Sequence, residues 1–252
     1  MLKTKLIAHL SDIHIGHSPE RLQAAFLIRK KLIELNIDYV LVTGDVTEHG
    51  RESEFRQFQE VFRDFIAKGR MSLVPGNHDR LGDNIGREMM NNERILVTKR
   101  EGITIVTVDT TGPHNKHLIL GHGTLKESVI ANIESKIAAA VKKNDFVILG
   151  LHHHPIPQPE ELWLEKVATF FRTPIARELF FGKTLIEQLH GQCDLILHGH
   201  RHVDLETKFL HPDKPRNLHI YNAGSSTELL KFRVFRVVDG KFGGVAEWIS
   251  CV

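Results

Sequence analysis

The chain has 252 residues, 41% of them hydrophobic, with 33 Lys and Arg against 31 Asp and Glu and a formal net charge of +2. That length suits one large domain, or one domain carrying an insertion, and the near balance of charge excludes the concentrated basic face that nucleic-acid binding requires. Two cysteines, Cys193 and Cys251, far apart and without C-x-x-C spacing, exclude a disulfide framework or thiolate metal site and fit a reducing compartment.

In chain order, "KLIAHLSD" reads as a first strand. The apolar stretch of "MLKTKLIAHLSD" is too short for a secretory leader, and no apolar run is long enough to span a bilayer, so a cytoplasmic location is expected. A helix follows with Ala25, Ile28, Leu32 and Leu35 on one face, then the strand "DYVLVTGD". The next helix aligns Phe55, Phe58, Phe62 and Phe65 as a buried stripe. "SLVPGNHD" is a third strand, an irregular stretch covers 84–91, and "GITIVTVDT" is a fourth strand. A long helix places Ile130, Ile133, Ile137 and Ala140 together. "DFVILGLHHHP", "DLILHGHRH" and "LHIYNAGSS" are further strands, and "KFRVFRVVDGKFGGVAEWI" is a hairpin turning at Asp239–Gly240. Strands alternating with helices imply layered α/β architecture.

Between "HHHPIPQP" and "HGQCDLIL" the chain spends about two helices where a short crossover would do. The stretch, about 158–190, reads as a helical insertion carrying Trp163, Phe170, Phe171, Phe180 and Phe181 among Arg172, Arg177 and Lys183. It suits packing on the domain's own surface or a homodimer interface, a cap over a substrate, or a membrane-surface contact.

Seventeen histidines are the unusual entry in the composition. Many stand with carboxylates at the carboxyl ends of strands: Asp12 and His14 in "SDIH", Asp45 in "TGDVTEHG", Asn77 and His78 in "PGNHD", His152 to His154 in "LHHHP", and His198, His200 and His202 in "HGHRH". In open α/β sheets the ligand crevice lies outside those ends, so loops distant in sequence converge there. Carboxylates, imidazoles and an amide carbonyl form an oxygen and nitrogen donor set without sulfur, suited to Mn, Fe or Zn. One aspartate has two oxygens with which to bridge a pair of cations.

The motifs D-x-H, GD-x-x-E, GNHD, HHP and GH-x-H, in this order from Asp12 to His202, resemble those of the calcineurin-like metallophosphoesterase superfamily. The resemblance implies a single domain over 1–252 with the four-layer α-β-β-α sandwich, two mixed sheets flanked by helices. It implies one metal held by Asp12, His14, Asp45 and His202, and a second held by Asp45, Asn77, His153 and His200. His153 is chosen from the three consecutive histidines because the family's ligand lies two before the proline, here Pro155. By the same resemblance His78 is the acid that protonates the leaving oxygen and Glu48 orients it, while His49 and His154 face the substrate. His49 stands where some phosphoprotein phosphatases of the superfamily carry an arginine, which argues against that branch. The short "GDVTEHG" and "HHHP" patterns look more like the class III cyclic-nucleotide phosphodiesterases.

The implied activity is hydrolysis of a small diester, a cyclic nucleotide or glycerophosphodiester, by water activated between two divalent or mixed-valence transition-metal ions. Two alternatives accompany it: a pyrophosphatase acting on a lipid-linked or nucleotide substrate, and a non-catalytic protein-binding scaffold on the same fold. A scaffold would be expected to have lost metal ligands, and none is missing from the motifs.

Overall fold

The structure, a computed structural model, describes residues 4–117, 121–142, 145–157, 178–203, 205–210 and 213–252. Eleven strands among them form two sheets. The first sheet has the order β11 (Lys241–Ser250), β10 (Lys231–Val238), β1 (Thr4–Leu10), β2 (Tyr39–Thr43), β3 (Met71–Val74). The second has the order β4 (Ile95–Arg100), β5 (Ile103–Val108), β6 (Phe146–Gly150), β7 (Leu195–His198), β9 (Leu218–Asn222), β8 (Glu206–Phe209). Both are mixed. β1, β2 and β3 run parallel and β10 runs against them, while β5, β6, β7 and β9 run parallel between antiparallel β4 and β8.

Three apolar layers account for the stacking. Between the sheets lie Ile7, Leu41, Ile105, Ile148, Tyr221 and Phe235. Outside the first sheet, α1 (Pro19–Glu34) and the pair α2 (Glu52–Val61) and α3 (Arg63–Ala67) bury Ile28, Leu32, Phe55, Phe58, Phe62 and Phe65. Outside the second, α5 (Glu127–Ala140) and α6 (Gly182–Leu189) bury Ile130, Ile133, Leu185 and Leu189. The short α4 (Gly86–Met89) follows β3, and α7 (Ser226–Leu229) lies between β9 and β10. The result is the expected α-β-β-α sandwich. Phe58 and Phe62 are fully buried, and truncating either to Ala removes about 3–5 kcal/mol.

Local sequence explains how α1 begins and stops. Pro19 starts it with a φ already suited to a helix, and Asn36 ends it in the left-handed region at φ 51°. Ile37 N–H then donates to Leu32 O at 3.1 Å and Asn36 N–H to Ile33 O at 3.0 Å, satisfying carbonyls the last turn leaves open.

Two strands go beyond the sequence reading, β4 and β8, both antiparallel edges of the second sheet. The expected insertion is also shortened from its far end. α6 falls inside 158–190 yet belongs to the domain's own scaffold, with Leu185, Ile186 and Leu189 buried against the second sheet's outer face. Phe180 is exposed, whereas Phe181 packs on that layer. Trp163, Phe170, Phe171, Arg172 and Arg177, and with them the cap and dimer expectations, lie outside the described residues. No helix among the described residues is long and apolar enough to cross a membrane.

Candidate metal centre

Parallel strands deliver their carboxyl ends to one edge of each sheet, and loops from both sheets meet there. The loops after β1 and β2 run side by side: Asp12 N–H donates to Gly44 O, His14 N–H to Asp45 O and Ile15 N–H to Val46 O, each at 3.0 Å. This pairing holds Asp12, His14 and Asp45 at φ of 52°, 51° and 47°, and His200 sits at 72°. Four side chains with chemistry to do thus stand on left-handed backbone that non-glycine residues avoid, a strain retained where the surroundings fix it. Gly76 is required by close approach, since a Cβ there would lie 2.1 Å from Asp45 Oδ1.

Asp45 is the centre of the arrangement. Its Oδ1 accepts the His78 N–H at 2.9 Å, while Oδ2 lies 3.3 Å from His152 Nε2 and 4.0 Å from His14 Nε2. On one side stand Asp12 and His14, with Asp12 Oδ1 4.0 Å from His14 Nε2 and 3.6 Å from His202 Nε2. On the other, Asn77 Oδ1 lies 3.2 Å from His152 Nε2 and 3.0 Å from His200 Nδ1. His200 N–H also donates to Asp12 Oδ2 at 3.1 Å, joining the two sides.

Burial alone would raise the Asp45 carboxyl, but His152 and His78 beside it hold it well below the usual carboxylate range. The reverse holds for two imidazoles. Burial disfavours their charge, yet Asp45 carries His152 up to about 9 and Asp12 carries His202 up to about 9. His200 and His153 are pushed down by burial and by neighbouring imidazoles, and His154 falls to about 3, chiefly through burial.

The donor set fits transition-metal cations. Asp12 Oδ1 and His14 Nε2 are buried and have no hydrogen-bond partner, an expensive condition unless something else takes their lone pairs. Donor atoms of Asp12, His14 and His202, and separately of Asp12, Asp45 and His152, lie within 4.8 Å of one another. Oxygen and nitrogen without sulfur is the chemistry of Mn, Fe or Zn.

The structure brings Asp12, His14, Asp45, Asn77, His200 and His202 together, and of the three consecutive histidines it sets His152, not the expected His153, against Asp45. His153 has a nitrogen within 4.8 Å of His152 and His200, but its Nδ1 meets Thr110 Oγ1 at 2.8 Å and its Nε2 meets Gly121 O at 2.9 Å. Both of its nitrogens are engaged away from Asp45. His152, whose Nδ1 rests on Thr43 O at 2.7 Å, is the one aimed at Asp45 and Asn77.

His78 lines the cleft with His14, Asp45, Asn77, His200 and His202. Its Nδ1 donates to the backbone carbonyl of Glu48 at 2.8 Å, while the Glu48 carboxylate stands 3.9 Å away. That carboxylate is instead 2.7 Å from His14 Nδ1, so the Glu48 side chain stands against His14 while its main chain holds His78. Burial would lower the His78 pKa, but Asp45 and the Glu48 carbonyl raise it overall.

The two expected substrate-facing histidines are elsewhere. His49 is exposed and its ring is taken by Glu54 Oε1 at 2.9 Å. His154 is buried and stacks on His200 with centroids 5.7 Å apart. Neither lines the cleft, whereas His17 and Arg21 do. Asp79 also has a larger part than its place in "GNHD" announces. Fully buried, it accepts from Thr47 N–H at 2.9 Å, Thr47 Oγ1 at 2.7 Å and Gly76 N–H at 2.9 Å, fastening the Asp45 loop to the Asn77 loop. Burial and Asp45 raise its pKa to about 6.

Comparison with known proteins supplies the family and supports the fold. The sequence profile of the calcineurin-like phosphoesterases matches residues 5–204. A cAMP/cGMP dual specificity phosphodiesterase from Mycobacterium tuberculosis is 25% identical over 60% of this chain and 50% of its own length, so the match spans half of that relative. A probable cyclic nucleotide phosphodiesterase from Vesicomyosocius okutanii is 24% identical over 81% of each chain. Among solved structures, a dimetal phosphatase from Danio rerio has the same fold at a TM-score of 0.67, with 11% identity over 98% of this chain and 99% of that one. The five ordered motifs, the sandwich and the profile match over most of its length make the chain a member of the calcineurin-like phosphoesterase family of metal-dependent phosphoester hydrolases.

Proposed function

We propose that the chain is a phosphodiesterase acting on a small diester, with a 3′,5′-cyclic nucleotide ahead of a glycerophosphodiester, through two transition-metal ions. The observation that carries this is the position of Asp45, a buried carboxylate that stands between His14 and His152. Asp12, His14, Asp45 and His202 would hold one cation, and Asp45, Asn77, His152 and His200 the other. When bound, such a pair neutralises phosphoryl oxygens and lowers the pKa of water towards hydroxide.

The chain's own residues supply the rest. His78 keeps a proton on Nδ1 for the Glu48 carbonyl, which leaves Nε2 as the nitrogen that gives a proton to the departing oxygen. Its raised pKa keeps that proton available near neutrality. Asp79 and the paired loops after β1 and β2 fix the distance between His78 and Asp45. The cyclic-nucleotide preference draws on the activities named for the relatives above and on the short "GDVTEHG" and "HHHP" motifs. A cytoplasmic setting belongs to the same reading, since both cysteines are free thiols.

The test is turnover by chelator-stripped protein reloaded with Mn²⁺, on an aryl phosphodiester and the matching monoester in parallel, with Asp45→Asn as control. Diester hydrolysis that needs both metal and Asp45 is expected, followed by turnover of cAMP or cGMP. Hydrolysis of the monoester alone would replace the diesterase reading with a phosphatase.

A further inference from the structure

The two nitrogens of His202 face two carboxylates. Nε2 lies 3.6 Å from Asp12 Oδ1 in the cleft, and Nδ1 lies 3.4 Å from Glu228 Oε2 behind it. Glu228 is itself held in place, because Arg21 donates to the same Oε2 at 3.0 Å. The other arm of that guanidinium donates to Ser225 Oγ at 3.1 Å and Thr227 Oγ1 at 3.2 Å. Those hydroxyls in turn donate to the main chain of the first motif, Ser225 to Asp12 O at 2.8 Å and Thr227 to Ile13 O at 2.9 Å. One guanidinium therefore ties Glu228 to the backbone that carries Asp12.

The chemistry of an imidazole ligand gives this arrangement a purpose. A histidine that offers Nε2 to a cation keeps its remaining proton on Nδ1, and an acceptor fixed there sets the tautomer and the angle of the ring. His152 has such an acceptor in Thr43 O at 2.7 Å, and a carboxylate oxygen of Glu48 lies 2.7 Å from His14 Nδ1. We infer that Glu228, held by Arg21, is the corresponding positioning residue for His202, and that it aims Nε2 at the cation shared with Asp12. The inference rests on the two-metal reading above. Glu228 lies beyond residues 5–204, the part matched to the family profile.

The whole chain, stripped of metal, is titrated with Co²⁺ and followed by visible absorption, for wild type and Glu228→Gln. Wild type is expected to show two binding steps. In the variant one step should weaken about 10–100-fold while the other stays within about twofold. Excess Co²⁺ should then restore diester turnover close to the wild-type maximum, separating a metal-retention defect from lost chemistry. Two unchanged steps would overturn the inference and leave Glu228 as a surface ion pair. Equal weakening of both steps with a lowered metal-free melting temperature would also overturn it, as a purely structural role. If Glu228→Gln fails to fold by far-ultraviolet circular dichroism, Arg21→Lys is read instead, with a smaller weakening of the same single step expected and no weakening overturning the inference. Wild type that takes up no Co²⁺ would sink the two-metal reading and this inference with it, whereas two wild-type steps that neither variant alters would sink this inference alone.

Discussion

The two sheets contribute differently to the centre. Loops after the first sheet's strands bring its acids, Asp12, Asp45, Glu48 and Asp79, on backbone pinned by main-chain hydrogen bonds. Loops after the second bring imidazoles, with His152, His153 and His154 lying 5.1, 4.8 and 5.7 Å from His200 between ring centroids. So many histidines pack closely because only those that reach a first-sheet acid carry a proton. His152 and His202, which do, rise to about 9, while His153, His154 and His200 are pushed down. The first sheet sets the charge of the centre and the second supplies most of its imidazoles.

The sharpest way to break that division is Asp45→Asn, which removes the one charge both sides share. Turnover of an aryl phosphodiester should fall about 10³-fold or more at saturating Mn²⁺, since charge stabilisation of several kcal/mol is lost with it. A variant keeping a tenth of wild-type turnover would show that the acid is not the hub. His78→Ala comes next. Loss of general-acid help should cost about 10²-fold on a diester with an alkoxide leaving group and under about tenfold on a nitrophenyl ester. Equal losses on the two substrates would remove His78 from that role.

Within the second sheet, His152→Ala and His153→Ala separate a ligand from its neighbour. His152→Ala should weaken the second Co²⁺ step about 10²-fold, and His153→Ala less than about tenfold, because His153 spends its nitrogens on Thr110 and Gly121. The reverse order would return His153 to the centre.

That pair also marks where sequence reading stops. The first-sheet loops were legible residue by residue, because each aliphatic run breaks at a short motif with a single donor of each kind: Asp12 and His14, Asp45, Asn77 and His78. After β6 three identical side chains follow, and distance from Pro155 selects a different one from that which the backbone turns towards Asp45. In the bend after β6 neighbouring side chains leave the chain in different directions, so a shift of one residue sets a different imidazole against Asp45. β4 and β8 escaped notice for a related reason. As half-covered edges they read "ILVTKR", three apolar residues and then three polar, and "ETKF", with a single apolar residue, so neither carries the strict alternation that marks a strand. Glu228 was invisible because an ion pair across 207 residues leaves no local signature.

Stability offers a smaller effect. Asp79→Asn replaces a buried acceptor of four bonds at 2.7–3.3 Å with an amide that must turn N–H groups towards other N–H groups. It should cost about 2–3 kcal/mol and lower the melting temperature by about 5–10 °C, read by calorimetry on metal-free protein. An unchanged melting temperature would mean that the Asp45 and Asn77 loops hold without their clamp.

The smallest effect, counted in protons, tests the division of labour most directly. His152 and His202 stand at about 9 because first-sheet acids favour their charged forms, so near pH 7.5 both hold a proton that a cation must displace. Loading should therefore release about two protons per chain at that pH, measured as the dependence of binding heat on buffer ionisation enthalpy. The sign follows from the raised pKa values. Release falls as pH rises through about 9, where the imidazoles are already neutral, and apparent metal affinity climbs with pH up to that point and then levels. Asp45→Asn should cut the release towards one proton, since His152 loses its charged neighbour while His202 keeps Asp12. Release near zero in the wild type would mean that the second sheet's imidazoles are neutral by themselves, and the acids of the first sheet would then be ligands only, not the setting of the centre's charge.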